Sequence, residues 1–376
     1  MRIWLGLALI LIAAPARADL VVSANDGHTV LVDGVAMAPK PLVPDTLIVL
    51  DATAYPPTIR DTIDMPASVV GPPTAIAIAP DESFAIATSA TKPDPAAPGG
   101  IGPDDRVSVI DLTTRPPTII QTIAAAAGAT TVRISPDGKT VLIANRAAES
   151  VSVFDLADRH LTHRQTIAIG PGTLPSGIAF TADGTAALVS RYGDSAIEVL
   201  RMGATVTREA RLITAGVAPY AIDVSPDGTL AAVGNMGRGD GDADTVSLID
   251  LSAEPFRTVQ SLTVGRSPEG VRWSPDGKFL AVALQNGTMK PPGSPFVRDK
   301  GVLVMLALDN KTLRRVTEAP TGRWTQGIAF SRDGRTVMVQ AMVEHAIQVF
   351  RWDGEKLFPA NPIDTVAGPA AIATSW

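Results

Sequence analysis

Glu269 with either Arg146 or Arg191 is the one set of side chains in this sequence able to place an acid–base group beside an anion-binding guanidinium. Recognised catalytic motifs are absent. There is no G-x-S-x-G nucleophile turn, no H-E-x-x-H metal pair and no G-x-x-x-x-G-K-[ST] phosphate loop. The histidines are His28, His160, His163 and His345. His28 and His345 fall near loops, where a histidine serves as general base or haem ligand if held, and is merely solvated otherwise. His160 and His163 lie an odd number of residues apart on one strand, which sends them to opposite faces. Asp240, Asp242 and Asp244 alternate in a Gly-rich loop, a spacing that can wrap Ca²⁺ with oxygen ligands. They lack the closing Glu of a calcium-binding hand, so a flexible acidic loop is the simpler account, and no other cofactor is expected. The absence of cysteine excludes disulfides, thiolate metal sites, a thiol nucleophile, covalent haem attachment and a lipoprotein anchor.

The elements that must position these residues announce themselves by repetition. Apolar-x-Ser-Pro-Asp-Gly stands at Ile134–Gly138, Val224–Gly228 and Trp273–Gly277, with altered copies around Asp81, Asp183 and Asp333. The repeated aspartates, at 81, 137, 183, 227, 276 and 333, are 56, 46, 44, 49 and 57 residues apart. Before each turn, large apolar residues alternate with period two, as in Val132 and Ile134 or Ile222 and Val224, which is the mark of a strand. Pro presets φ, Asp bonds the backbone ahead and Gly accepts positive φ, so the motif joins an inner strand a to a strand b. Strand c recurs as Val107–Asp111, Val151–Asp155 and Val246–Asp250, and strand d follows. Four strands repeated at this period predict the blades of an all-β propeller. Six blades are complete. The N-terminal piece has b (Leu20–Asn25), c (Leu47–Asp51) and d (Thr58–Ile63), while Gly368–Ala373 reads like the strand a expected over Gly71–Ala77. Pairing the two ends makes a seventh blade and removes an open edge.

In such a ring the b–c and d–a loops surround one mouth of the central channel. Seven residues before each turn aspartate stand Thr74, Thr130, Ser176, Tyr220, Glu269 and Gln326, with Ala370 seventh by the same alignment. Strand b ends nearby at Asn25, Ser89, Asn145, Arg191 and Asn235, with Arg146 and Gln285 one step beyond. The expected ligand-binding set is Thr74, Thr130, Ser176, Tyr220, Glu269, Gln326, Asn145, Arg191 and Asn235, suited to a small polar or anionic ligand; a water-filled, hydrogen-bonded mouth is the plainer reading. Four positions before the turn, Arg133, Asp223 and Arg272 are expected to pair between blades. The long stretches 26–45, 90–105, 236–244 and 286–300 are all b–c connections, so insertion has enlarged one face of the scaffold.

Arg2, an apolar run over 3–14 and Ala16-Arg17-Ala18 describe a signal peptide, 1–18, leaving 19–376 as a single exported domain. Cleavage there leaves 30 basic against 38 acidic residues, a net charge of −8. That acidity keeps a protein soluble and argues against nucleic acid as a partner. No remaining apolar run is long enough to insert in a membrane. A periplasmic monomer is expected.

Leu142–Asn145 with Val151–Asp155, and Val233-Gly-Asn235 with Thr245–Asp250, together with the Ser-Pro-Asp-Gly turns, resemble the YVTN-type seven-bladed β-propellers of bacteria. The resemblance covers nearly the whole chain after residue 18 and extends to lactonase-like and cyclising-enzyme propellers and to haem d1 domains. It implies an exported location. For function it leaves three expectations. The leading one is a non-catalytic propeller that holds a small ligand or a periplasmic protein on the b–c face. The alternative is a lactonase- or isomerase-like enzyme acting on a small anionic metabolite through Glu269 and an arginine. The third is haem- or quinone-linked redox work.

Overall fold

Five of the seven blades turn from strand a to strand b through a knot that their own side chains tie. Ser135 Oγ donates to Asp137 Oδ1 at 2.6 Å, the same carboxylate oxygen accepts the Lys139 amide at 3.1 Å, and Ser135 Oγ accepts the Thr140 amide at 2.9 Å. Gly138 supplies the positive φ of 70°. The same knot recurs at Ser225–Asp227, Ser274–Asp276 and Ser331–Asp333, and Thr181 replaces serine beside Asp183. A second local tie ends strand c, where Asp51, Asp111 and Asp250 accept the amides of Thr53, Thr113 and Ser252. These short-range bonds turn the chain back on itself, so consecutive strands pair antiparallel.

A computed structural model describes residues 19–375. The expected signal peptide lies outside them. Seven antiparallel sheets form a ring, and every one has the inner-to-outer order a-b-c-d. Numbered along the chain from the first complete sheet, blade 1 has strands Ile76–Ile78, Phe84–Thr88, Arg106–Asp111 and Thr118–Ala124, and blade 2 has Ala129–Ile134, Thr140–Asn145, Ser150–Ala157 and His160–Ala168. In blade 5 they are Pro268–Trp273, Phe279–Leu284, Gly301–Asp309 and Thr312–Thr321. The outer strands of blades 3 and 6 are broken into two short pieces each. The closing blade takes Leu20–Asp26, Thr46–Asp51 and Thr58–Asp64 from the N-terminal part and Gly368–Thr374 from the C-terminal part. Its register places Val22 opposite Ala373 and Ser23 opposite Ile372.

Apolar packing lies between blades rather than within them. Val107 and Val109 of blade 1, for example, share a core with Val132, Val141, Ile143 and Phe154 of blade 2. Glutamines brace the rim. Gln121, Gln165 and Gln260 in strand d donate to the carbonyls of Leu161, Val206 and Leu313 in the next blade at 2.9, 2.9 and 3.0 Å.

Ring closure also depends on one buried amide. Gln340 Nε2 donates to Ser23 Oγ and to the Ala371 carbonyl, both at 2.9 Å, while its Oε1 accepts the Gly327 amide at 3.2 Å. Gln340→Leu takes a partner from three buried polar groups at the seam, of which Ser23 Oγ keeps its bond to Asn25, and the expected cost is about 1–3 kcal/mol, read from the urea midpoint.

Candidate functional site

The inner strands are not smooth at the channel mouth. Pairing of strand a with strand b slips between Ala129 and Thr131, Pro175 and Ile178, Pro219 and Ile222, Pro268 and Gly270, and Thr325 and Ile328. Thr130, Ser176, Tyr220, Glu269 and Gln326 sit on these irregularities. A bulge re-aims the side chain it carries, which is how repeated positions on a strand come to face a common centre.

Around that centre it is the charge of Arg146, and not that of Arg191, that acts on the Glu269 carboxyl. Arg146 Nη1 donates to Ser176 Oγ, and its guanidinium carbon lies 4.3 Å from the centre of the Tyr192 ring and 5.9 Å from that of Tyr220. The two tyrosines meet edge to face at 5.6 Å. Arg146 and Tyr192 are half-buried, so this guanidinium stays within reach of solvent. Glu269 is buried, and Gln285 Nε2 donates to its Oε2. Burial pushes the Glu269 carboxyl up to about 8, with the Gln285 bond and the Arg146 charge pulling the other way. Burial also raises Tyr220, helped by the charge of Glu269. Arg191 turns aside to Asp194 and to Glu198 Oε2, the latter at 2.8 Å, and Arg208 holds the same buried glutamate.

The remaining expected residues divide by role. Asn145 Nδ2 donates to Ser150 and Ser152 at 3.1 and 2.9 Å, and Asn235 Nδ2 donates to Thr245 and Ser247, each at 3.0 Å. Both amides therefore pin strand b to strand c. Thr130 donates to the Ala144 carbonyl, and Thr74 bonds Thr131 at 2.8 Å. Gln326 is fully buried, and neither amide atom has a partner among the described residues. Asp240 and Asp242 are exposed, whereas Asp244 accepts the Ser267 amide at 2.8 Å. Burial raises Asp244, with Asp240 and Asp242 adding to the effect. The three do not converge. Among the described residues the one carboxylate–histidine trio whose ligand atoms do is Asp26, His28 and Asp45.

Blade 1 departs from the expected pattern, for a reason written in one proline. Nine residues before the turn aspartate, Gly128, Leu174, Ala218, Ser267 and Trp324 adopt φ of 76°, 46°, 53°, 50° and 50°. Blade 1 has Pro72 there, and its ring forbids positive φ. Strand a is accordingly reduced to Ile76–Ile78 instead of running over Gly71–Ala77. Gly71–Pro73 forms a buried strap across the channel. A Cβ on Gly270 would stand 3.3 Å from the Pro73 ring, and one on Gly327 would stand 3.1 Å from its Cβ. The Pro73 carbonyl accepts the Ile372 amide at 3.4 Å, and the Gly71 backbone bonds the Tyr220 hydroxyl.

The root of the strap is held by the Asp26–His28–Asp45 trio. Asp26 accepts the amides of His28, Thr29 and Val69 at 2.9, 2.8 and 2.8 Å. Asp45 accepts those of Gly27 and Ala67 at 2.9 and 3.1 Å. His28 Nδ1 lies 2.8 Å from Asp45, and Nε2 lies 3.1 Å from Thr91 Oγ1, which is 2.7 Å from Ser68 Oγ. Both ring nitrogens are thereby engaged, so His28 belongs to a latch and is not presented to a haem. His345 holds a b–c turn, with its amide on the Met342 carbonyl. The four insertions form a collar. Ala38 donates to the Gly99 carbonyl at 2.8 Å, Gly34 abuts Met289 and Pro291, and Gly241 abuts Phe296. Between the first two insertions lies an apolar groove of about 780 Å³, lined by Val30, Met37, Leu42 and Pro93 with Lys40 at its edge.

Residues 107–212 match the family model for lactonases with a seven-bladed β-propeller. No curated protein matches the chain. A candidate 6-phosphogluconolactonase of Bacteroides uniformis superposes with a TM-score of 0.74 at 17% identity, over 96% of this chain and 100% of that one. The periplasmic gluconolactonase of Pseudomonas aeruginosa gives 0.68 at 18% identity, over 95% and 98%. Hydrazine synthase of Kuenenia stuttgartiensis gives 0.63 at 19%, over 81% and 90%. The chain is a seven-bladed β-propeller, and the stretch 107–212 is similar to the lactonase family of that fold. At these identities the structural likeness speaks for the fold alone.

Burial lifts Asp26 to about 6, with His28 opposing and Asp45 adding; for His28, burial lowers the pKa, but the Asp45 hydrogen bond and the two carboxylate charges outweigh it and leave it raised. The folded latch therefore binds more protons than the unfolded chain. The Asp26 share of this stability is complete below the ordinary aspartate range and is lost as pH rises through about 6, whereas the His28 share persists to above the ordinary histidine range. Between pH 4 and pH 8 the denaturant midpoint of the wild type should fall more than that of Asp26→Asn.

Proposed function

We propose that the protein hydrolyses a small lactone at the b–c mouth, with Arg146 and Glu269 as the reacting pair. The observation that carries this reading is their convergence: a reachable guanidinium beside a buried carboxyl whose pKa lies near neutrality. In the proposed step Glu269, ionised, takes a proton from water as its oxygen attacks the ring carbonyl carbon. The Arg146 guanidinium faces the negative charge that develops on the carbonyl oxygen. Collapse breaks the ring C–O bond, and the leaving alkoxide takes the proton back from Glu269. Tyr220, whose hydroxyl keeps its proton, would be the neighbouring hydrogen-bond donor in this step. The lactonase family match over 107–212 supports the choice of reaction. The leader-like sequence at 1–18 and the likeness to a periplasmic gluconolactonase support work in the periplasm. Among the described residues no helix is long and apolar enough to cross a membrane.

A second reading has its own support. The collar and its apolar groove of about 780 Å³ suit capture of a small ligand or a periplasmic protein without turnover.

Acid release from a panel of sugar and alkyl lactones separates the two. As a base, Glu269 works only when ionised, so kcat/KM should climb with pH and level off above about 8. Glu269→Gln should lower kcat by roughly 10²–10⁴-fold and remove that limb. Arg146→Met should cost about 10²-fold or more in kcat/KM. Absence of hydrolysis for every lactone would leave only the binding reading standing.

A further inference from the structure

Beneath the strap the channel widens again into a chamber that has nothing to do with the b–c collar. Ala77, Arg133, Ala179, Asp223 and Arg272, four positions before their turns, and Ala373 of the closing strand line a cavity of about 300 Å³ that opens beside Pro80 and Pro136 at the a–b turns. The alanines leave the lumen to three charged side chains. Arg272 Nη1 lies 3.4 Å from Asp223 Oδ1, and its Nη2 donates to Thr374 Oγ1 at 2.9 Å. Asp223 also accepts the Trp273 amide at 2.8 Å through its other oxygen. The expected pairing between blades is thus met by Arg272 and Asp223.

Arg133 is differently placed. Among the described residues its guanidinium donates to the neighbouring Val132 carbonyl at 3.2 Å and forms no ion pair. A guanidinium has five N–H donors, so most of this fork faces the cavity. Burial pushes Arg133 down to about 10, Asp223 opposes the push and Arg272 adds to it. Two guanidiniums against one carboxylate leave a single positive charge in a half-open cavity. An enclosed charge without a counter-ion is costly, and a planar fork is matched by a carboxylate.

We propose that this chamber is a second ligand site, which binds a small monoanion, specifically a carboxylate, through Arg133 and Arg272. One negative charge neutralises the lumen, whereas a dianion overshoots it. A cavity at the small end of the ligand-pocket range admits a compact carboxylate, with Thr374 beside it to meet a hydroxyl. The Gly71–Pro73 strap lies between this chamber and Arg146, so the two sites are loaded from opposite faces. The site does not depend on turnover of a lactone, and its test reads binding alone.

Isothermal titration of the purified full chain at pH 8 with acetate, D-gluconate and inorganic phosphate decides it. Acetate and gluconate should bind more tightly than phosphate, which is largely a dianion at that pH. Arg133→Met should weaken carboxylate binding about tenfold or more. Asp223→Asn, which removes the competing negative charge, should strengthen it, a gain that damage to the fold does not produce. Arg146→Met should leave acetate binding unchanged. No carboxylate binding below about 10 mM, tighter binding of phosphate, weakened binding in Asp223→Asn, or loss of acetate binding in Arg146→Met with Arg133→Met intact would each overturn the assignment.

Discussion

Antiparallel pairing of Gly368–Thr374 with Leu20–Asp26 turns a row of seven sheets into a ring, and every feature of the channel follows from that closure. An open row would expose one inner and one outer edge and leave half of two inter-blade cores unpacked. The seam is accordingly secured at several levels. Val21, Ile48, Met338 and Ile372 pack across it, and Gln340 joins Ser23 to Ala371. Near the a–b turns, Arg332 donates to Glu82 at 2.9 Å and its amide donates to Asp19 at 2.7 Å. With no disulfide available, this combination of apolar packing and buried hydrogen bonds is what holds the ends.

A closed ring fixes a narrow lumen, and a narrow lumen shifts the chemistry of whatever it contains. Glu269 is raised and Arg133 lowered by the same cause, removal of water from a charged group. The strap then divides this space. One half holds a carboxyl near its titration point beside a reachable guanidinium; the other holds an excess of positive charge.

Much of the scaffold was readable from the chain because its signals are local. Ser-Pro-Asp-Gly turns are tied by bonds spanning two to five residues, and strand alternation needs no partner to be recognised. The placement of all four insertions on one face also followed from counting strands. The strap could have been suspected from Pro72 standing where other blades need positive φ, but that comparison requires knowing the backbone angles of Leu174, Ala218, Ser267 and Trp324. The latch had a weaker signature still. Asp26 and Asp45 lie in different segments, and two of the amides they hold, those of Ala67 and Val69, belong to a third.

Sequence alone determined the blade count, the all-β class, the closing strand and the face that carries elaborated loops, since each depends on periodicity or on contacts between near neighbours. Only the tertiary structure decided which arginine meets Glu269. Arg146 and Arg191 end strand b or follow it in adjacent blades and look equivalent along the chain. Arg191 is captured by Asp194 and the buried Glu198, while Arg146 is left to stack on Tyr192 and face the centre. Such choices turn on competition among side chains brought together by closure of the ring, and no spacing in the linear chain records the outcome.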